Sequence, residues 1–134
     1  MKKDIEIPRM QDVGVAVVSE VNEEGLNEWN VYLINLKKEQ LKGVLVSSRG
    51  YGEINNDIRK TSELRHFLDE VNPKSFMKIE PIIEDVFMLN NEYWVSFFLE
   101  EKMYDKKFIF LPETIREENL IRIPLIDKMG VMIL

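Results

Sequence analysis

A chain of 134 residues with 45% hydrophobic and 31% charged side chains is the size of one globular domain, so a single domain over residues 1-134 is expected, with apolar content enough for a core. The absence of cysteine excludes disulfides, iron–sulfur clusters, thiolate zinc sites and cysteine nucleophiles. An excess of 24 acidic over 18 basic residues gives a net charge of −6, which opposes non-specific attraction to a phosphate backbone.

The opening MKKDIEIPRM puts Asp4, Glu6, Pro8 and Arg9 where a signal peptide needs an unbroken apolar run. No window approaches the roughly eighteen apolar residues of a spanning helix. A cytoplasmic protein without membrane association is expected, its residues 2–11 forming an extended arm. Val13 to Ser19 is a continuous β-branched run suited to a strand covered on both faces, with Gly14 marking a bulge or a close backbone approach. Glu20 to Glu28 reads as a solvated hairpin loop.

The stretch Trp29 to Ser48 organises the chain. Trp29, Val31 and Leu33 alternate with Asn30, Tyr32 and Ile34, the period of a pleated strand, and Lys37 to Gly43 separates them from a second β-rich run at Val44 to Val46. The two read as neighbouring strands. Arg49 to Ser62 carries Gly50, Gly52 and the triplet Asn55, Asn56 and Asp57, which predicts a tight hairpin near Asn55 between strands at Tyr51 to Ile54 and Ile58 to Thr61. Ser62 to Val71 is the one helical candidate: Leu64, Phe67, Leu68 and Val71 fall at helical spacing behind a capping Ser62, with Pro73 as a stop.

Alternation returns at Phe76 to Ile83, where Pro81 demands a sheet edge or a bend, and Val86 to Leu89 continues that strand. Asn90 and Asn91 signal a turn. Tyr93 to Leu99 and Met103 to Leu111 form the clearest hairpin, with Glu100 and Glu101 at its tip. In its first strand Tyr93, Val95, Phe97 and Leu99 take one face and Trp94, Ser96 and Phe98 the other. Either that hairpin is central to a sandwich, or the Trp94 side is an interface. Pro112 to Asn119 is polar, Leu120 to Leu125 is an edge or terminal strand, and the apolar Gly130 to Leu134 is expected to dock in a sheet. About seven to nine short strands with at most one short helix predict an all-β, antiparallel β-sandwich of immunoglobulin- or fibronectin-like type; a partly open barrel is the competing architecture.

Chemistry-bearing motifs are sparse. His66, the only histidine, lies near Glu63, Arg65 and Asp69, but on the helical reading it faces solvent, and a general base needs a nucleophile and an orienting group. One histidine and no thiol leave no metal centre, and no cofactor is expected. The paired acids Glu23-Glu24, Glu84-Asp85, Glu100-Glu101 and Glu117-Glu118 sit at predicted loops, where they solvate the chain. Arg49, Tyr51, Arg59, Lys60, Arg65 and His66 form the densest cationic and aromatic region and are the candidate binding residues. Glu53, Asp57 and Glu63 offset their charge, and the Gly-x-Gly there lacks the strand–turn–helix context of a dinucleotide site.

MKKDIEIP, NEYWVSFFL and the YDKKFIF of Tyr104 to Phe110 resemble a family of short uncharacterised bacterial proteins, some of which carry a label linking them to a phenylalanyl-tRNA synthetase subunit. A class II synthetase core needs a far longer chain with ATP-gripping arginines, so the resemblance implies no catalytic residue. The function expected is that of a non-catalytic protein-interaction module, whose partner is another protein or a second copy of the chain. A nucleic-acid or synthetase-associated binding module and a small hydrolase built on His66 are the alternatives.

Overall fold

The computed structural model describes residues 11–134; the predicted amino-terminal arm falls outside them except for Gln11. Strands form where apolar side chains recur at every second position: β1 (Val13–Val21), β2 (Asn27–Asn35), β3 (Leu41–Ile54), β4 (Asp57–Lys60), β5 (Leu64–Val71), β6 (Ser75–Ile82), β7 (Asn90–Leu99), β8 (Lys102–Phe110), β9 (Ile121–Arg122) and β10 (Met129–Ile133). All pairings are antiparallel. The first sheet runs β6-β2-β1-β10-β9. In the second, β3 is flanked by β7 and β8 on one side and by both β4 and β5 on the other.

The two sheets pack face to face as an all-β sandwich. Val15, Val17, Val31 and Leu33 of the first meet Val44, Val46, Val95, Phe97 and Phe108 of the second in one continuous core. Phe97 and Phe108 are fully buried, and burying such a side chain stabilises the fold by about 1.5–3 kcal/mol. The first sheet is covered on its outer side as well. Ile123 and Ile126 of the connection between β9 and β10 pack there against Ala16, Val18 and Ile34, and Lys128 Nζ lies 2.6 Å from Glu20 Oε2. This double cover explains the uninterrupted apolar run of β1. Among the described residues no such layer lies on the outer side of the second sheet.

Four expectations need correction. The runs on either side of Lys37 to Gly43 are not paired neighbours: β2 belongs to the first sheet and β3 to the second. Ser62 to Val71 contains no helix, because Leu64–Val71 is the strand β5, bonded along β3 from Leu41 to Ser48. Eight residues are marginal as an isolated helix, whereas the open edge of β3 offers a ladder partner for each turn of the pleat. Val86 to Leu89 does not prolong β6, since a 3-10 turn at Glu84–Val86 comes after it. Asn90 and Asn91 are the first residues of β7 and not a turn, Asn91 giving its side-chain N–H groups to the Val86 and Leu89 carbonyls.

Other features agree with the pattern read from the residues. Asn55 and Asn56 both have positive φ (52° and 68°) in the β3–β4 hairpin, the geometry of its favoured two-residue turn. Pro81 sits on β6, an edge strand. A Cβ on Gly14 would stand 2.7 Å from the Ile133 carbonyl oxygen, so the glycine there is required by close approach of β10 to β1.

Candidate functional site

A bulge in β6 creates the most unusual polar site. Val31 pairs with Glu80 and Tyr32 with Lys78, so Ile79 is an extra residue opposite the Val31/Tyr32 step. Strict alternation would bury Met77 and Ile79 and turn Glu80 outward. The extra residue resets the pleat, and Glu80 enters between the sheets with its side chain only 12% exposed.

There it ties the second sheet to the first. Ser48 Oγ (β3) donates to Glu80 Oε1 at 2.9 Å, and Tyr93 Oη (β7) donates to Oε2 at 3.0 Å. His66 Nε2 (β5) lies 2.7 Å from Oε1. A carboxylate only accepts, so this nitrogen carries the proton. Burial pushes the Tyr93 hydroxyl far above the ordinary tyrosine range, and the adjacent Glu80 charge raises it further. His66 is therefore not the solvated residue expected of an outward helical face; as part of a strand its side chain turns toward the core at the sheet edge.

The same group of residues does not form a hydrolytic triad. Ser48 and His66 both give hydrogen bonds to one carboxylate oxygen and none to each other, so the serine lacks the nucleophile-to-base contact that would activate it. Among the described residues no group of three or more His, Asp and Glu side chains is placed to hold a metal ion, and no helix is long and apolar enough to cross a membrane.

Beside Glu80 a cavity of about 270 Å³ opens between the sheets. Leu64, Pro81, Ile82, Ile83 and Val86 form its apolar wall, and Ser48, Glu80, Asn91 and Tyr93 its polar floor. Of the six candidate binding residues only Arg49 touches its rim, and its guanidinium points away from it. Arg49 and Tyr51 are instead joined on the other face of β3, around Glu92: Arg49 Nε lies 3.2 Å from Glu92 Oε2, Tyr51 Oη donates to Oε1 at 3.2 Å, and the guanidinium sits 5.2 Å above the Tyr51 ring. Lys60 pairs with Tyr51 across β4, Arg65 with Ser47 across β5, and both are exposed. Arg59, opposite Gly52, takes the alternate face of β4. The predicted set is thus divided between the two faces of the second sheet.

Residues that carried no chemical signal define the outer face of that sheet. Phe67, Leu45, Trp94, Phe98 and Met103 occupy adjoining positions, because Leu45 pairs with Phe67 and with Ser96, the residue between Trp94 and Phe98, while Phe98 pairs with Met103. Phe67 is 66% exposed, and Trp94 and Phe98 are 45% exposed each. Around them stand Lys42, opposite Phe98, Arg65 and Lys107, whose Nζ lies 4.8 Å from the Trp94 ring centre. Asp105, opposite Ser96, and Glu63, 3.9 Å from Arg65 Nε, are the acids beside them.

Alkaline titration checks the Glu80 and Glu92 clusters and a third in which Tyr32 Oη donates to Glu20 Oε1 at 2.8 Å. Burial, then the hydrogen bond to Glu20, pushes Tyr32 up to about 12, and Tyr51 is raised by desolvation and then by Glu92. The folded state keeps phenol protons that the unfolded chain loses near pH 10, so stability should fall as pH climbs from about 10 toward 12. Absorbance at the phenolate band should show Tyr32, Tyr51 and Tyr93 still protonated at a pH where the denatured chain is largely ionised. Coincident titration of folded and denatured protein would contradict these hydrogen bonds. Comparison with protein-family models, curated proteins and solved structures finds no match to this chain.

Proposed function

We propose that this protein is a non-catalytic β-sandwich that works by binding another protein through the outer face of its second sheet. The observation that carries the reading is the apolar surface of Phe67, Leu45, Trp94, Phe98 and Met103, left uncovered among the described residues, on a molecule whose other sheet is covered on both sides. Contiguous apolar surface of this kind is rare on monomers unless something docks on it, and aromatic side chains supply most of the affinity where it does.

Charge selects the partner. The rim of Lys42, Arg65 and Lys107 outnumbers Asp105 and the Glu63 that stands 3.9 Å from Arg65, a local cationic excess on a protein of net charge −6, so a partner surface with an apolar centre and acidic margin fits it. Two copies meeting through this face would bring like charges together. A photo-crosslinking residue in place of Phe98 should give one discrete heterologous adduct, lost when Arg65 and Lys107 are changed to glutamate; the same residue at exposed Lys38 should not give it. Identical adducts from both positions, or self-adducts accompanied by a dimer in sedimentation, would overturn this reading.

A second reading, a single-stranded nucleic-acid module, is favoured by the cation-flanked Trp94 ring, since bases stack on such rings for about 1–3 kcal/mol each. Quenching of tryptophan fluorescence by single-stranded RNA at low salt, relieved by added salt, is its signature. Unchanged fluorescence at low salt removes it.

A further inference from the structure

We propose that the cavity beside Glu80 is a binding site for a small primary amine with a compact apolar body. This site lies between the sheets and is independent of the docking face on the outer side of the second sheet. A carboxylate inside an apolar wall asks for a charged or hydrogen-bonding partner, because desolvation without one is costly. The three donors seen on Glu80 leave it unsaturated: Oε1 takes two, from Ser48 and His66, but Oε2 takes one, from Tyr93, and each carboxylate oxygen accepts two. Further acceptors stand on the same floor. The Ser48 hydroxyl, having given its hydrogen to Glu80, keeps its lone pairs. Asn91 directs both side-chain N–H groups at backbone carbonyls, and its Oδ1 lies 3.4 Å from where a Gly50 Cβ would be. An ammonium brings three donors and a positive charge to a floor of acceptors with one negative charge, while the guanidinium of the lining residue Arg49 is held by Glu92 on the other face of β3.

The wall selects the body attached to the nitrogen. Leu64, Pro81, Ile82, Ile83 and Val86 come from both sheets and from the turn after β6, and about 270 Å³ is near the lower end of small-molecule sites. A short alkyl chain or one aromatic ring fits that space. A carboxylate-bearing ligand is disfavoured, since it would place a second negative charge against Glu80.

Benzylamine is the probe and benzyl alcohol its neutral counterpart. In titrations of the full chain monitored by nuclear magnetic resonance, benzylamine should saturably shift the Leu64, Ile82 and Ile83 methyl signals and the Tyr93 ring, binding at least tenfold more tightly than benzyl alcohol. Glu80→Gln should erase that preference. Because Glu80→Gln also disturbs the tie between the sheets, a mouth variant, Leu64→Trp, serves as a second check: its side chain is half exposed, and the change should block benzylamine while leaving the core signals in place. Equal affinity for the two probes, no saturable shift with benzylamine, or unimpeded binding to the folded Leu64→Trp protein would each overturn the assignment.

Discussion

Replacing Glu80 with alanine is expected to lower the unfolding free energy by about 3 kcal/mol, the sum of leaving several buried donors without an acceptor at roughly 1 kcal/mol or more each. Tyr93 bears the largest share, because its hydroxyl is buried while His66 retains some contact with water. Urea denaturation of Glu80→Ala, Tyr93→Phe and the double variant separates the shares. Tyr93→Phe alone should cost about 1–2 kcal/mol, and the two changes together should cost clearly less than their sum, since the hydroxyl that Glu80→Ala orphans is gone in the double variant. Strict additivity would mean that the two side chains do not interact. A loss below about 0.5 kcal/mol for Glu80→Ala would place this carboxylate in water and not between the sheets.

Gly130→Ala should be more damaging than alanine at any other glycine of this chain. The new Cβ would run into the Val17 carbonyl oxygen and stand 3.0 Å from Val18 Cα. Both are backbone atoms of β1, locked on their other edge to β2. Neither can rotate away, so relief requires β10 to leave the sheet, and a cost of about 3 kcal/mol is expected, at the upper end for overpacking. Amide hydrogen exchange should locate the damage: protection should fall first in Val131 and Met132 and in β9, which pairs with the first sheet only through β10. Protection that stays uniform across β10 in the variant would show that the strand is not held this tightly. Gly25→Ala makes the contrast, because nothing lies within 4 Å of a Cβ there, and its cost arises only from its positive φ.

What the residues revealed beforehand was mainly local. Alternation identified β2 and β7 because their inward positions are mostly Val, Leu, Tyr or Phe, β1 was readable from its continuous β-branched run, and the Asn55-Asn56 turn was readable because few residues tolerate that backbone. Helical spacing at Leu64, Phe67, Leu68 and Val71 misled for a non-local reason. Phe67 is not a core residue at all; its ring lies on the outer face beside Leu45. A hydrophobe that serves a surface patch looks, in one dimension, like one that fills a core. Which sheet each strand joins was equally hidden, since β2 and β3 are consecutive in sequence yet lie in different layers.

The candidate sites were less legible still. Glu80 carried no signal in the sequence, and only the extra Ile79 opposite β2 turns it inward. Its donors come from three strands separated by up to 45 residues, Ser48 to Tyr93. Arg49 and Tyr51 were conspicuous as cationic and aromatic residues, but Glu92, the acid that holds both, sits forty-odd positions away. The Trp94 and Phe98 side was visible as a dilemma, and among the described residues that face is solvent-exposed.

The position of β10 between β1 and β9 sets the order in which the molecule can be assembled. A ribosome delivers β1 more than a hundred residues before its second neighbour: Val15 must wait for Ile133. Throughout elongation the nascent β1–β2 hairpin therefore presents one unsatisfied row of backbone amides and carbonyls, lined by valines, to whatever else is in the vicinity. Completion of the first sheet is accordingly a late event in biogenesis, and the interval before it is the period of greatest exposure to off-pathway strand pairing.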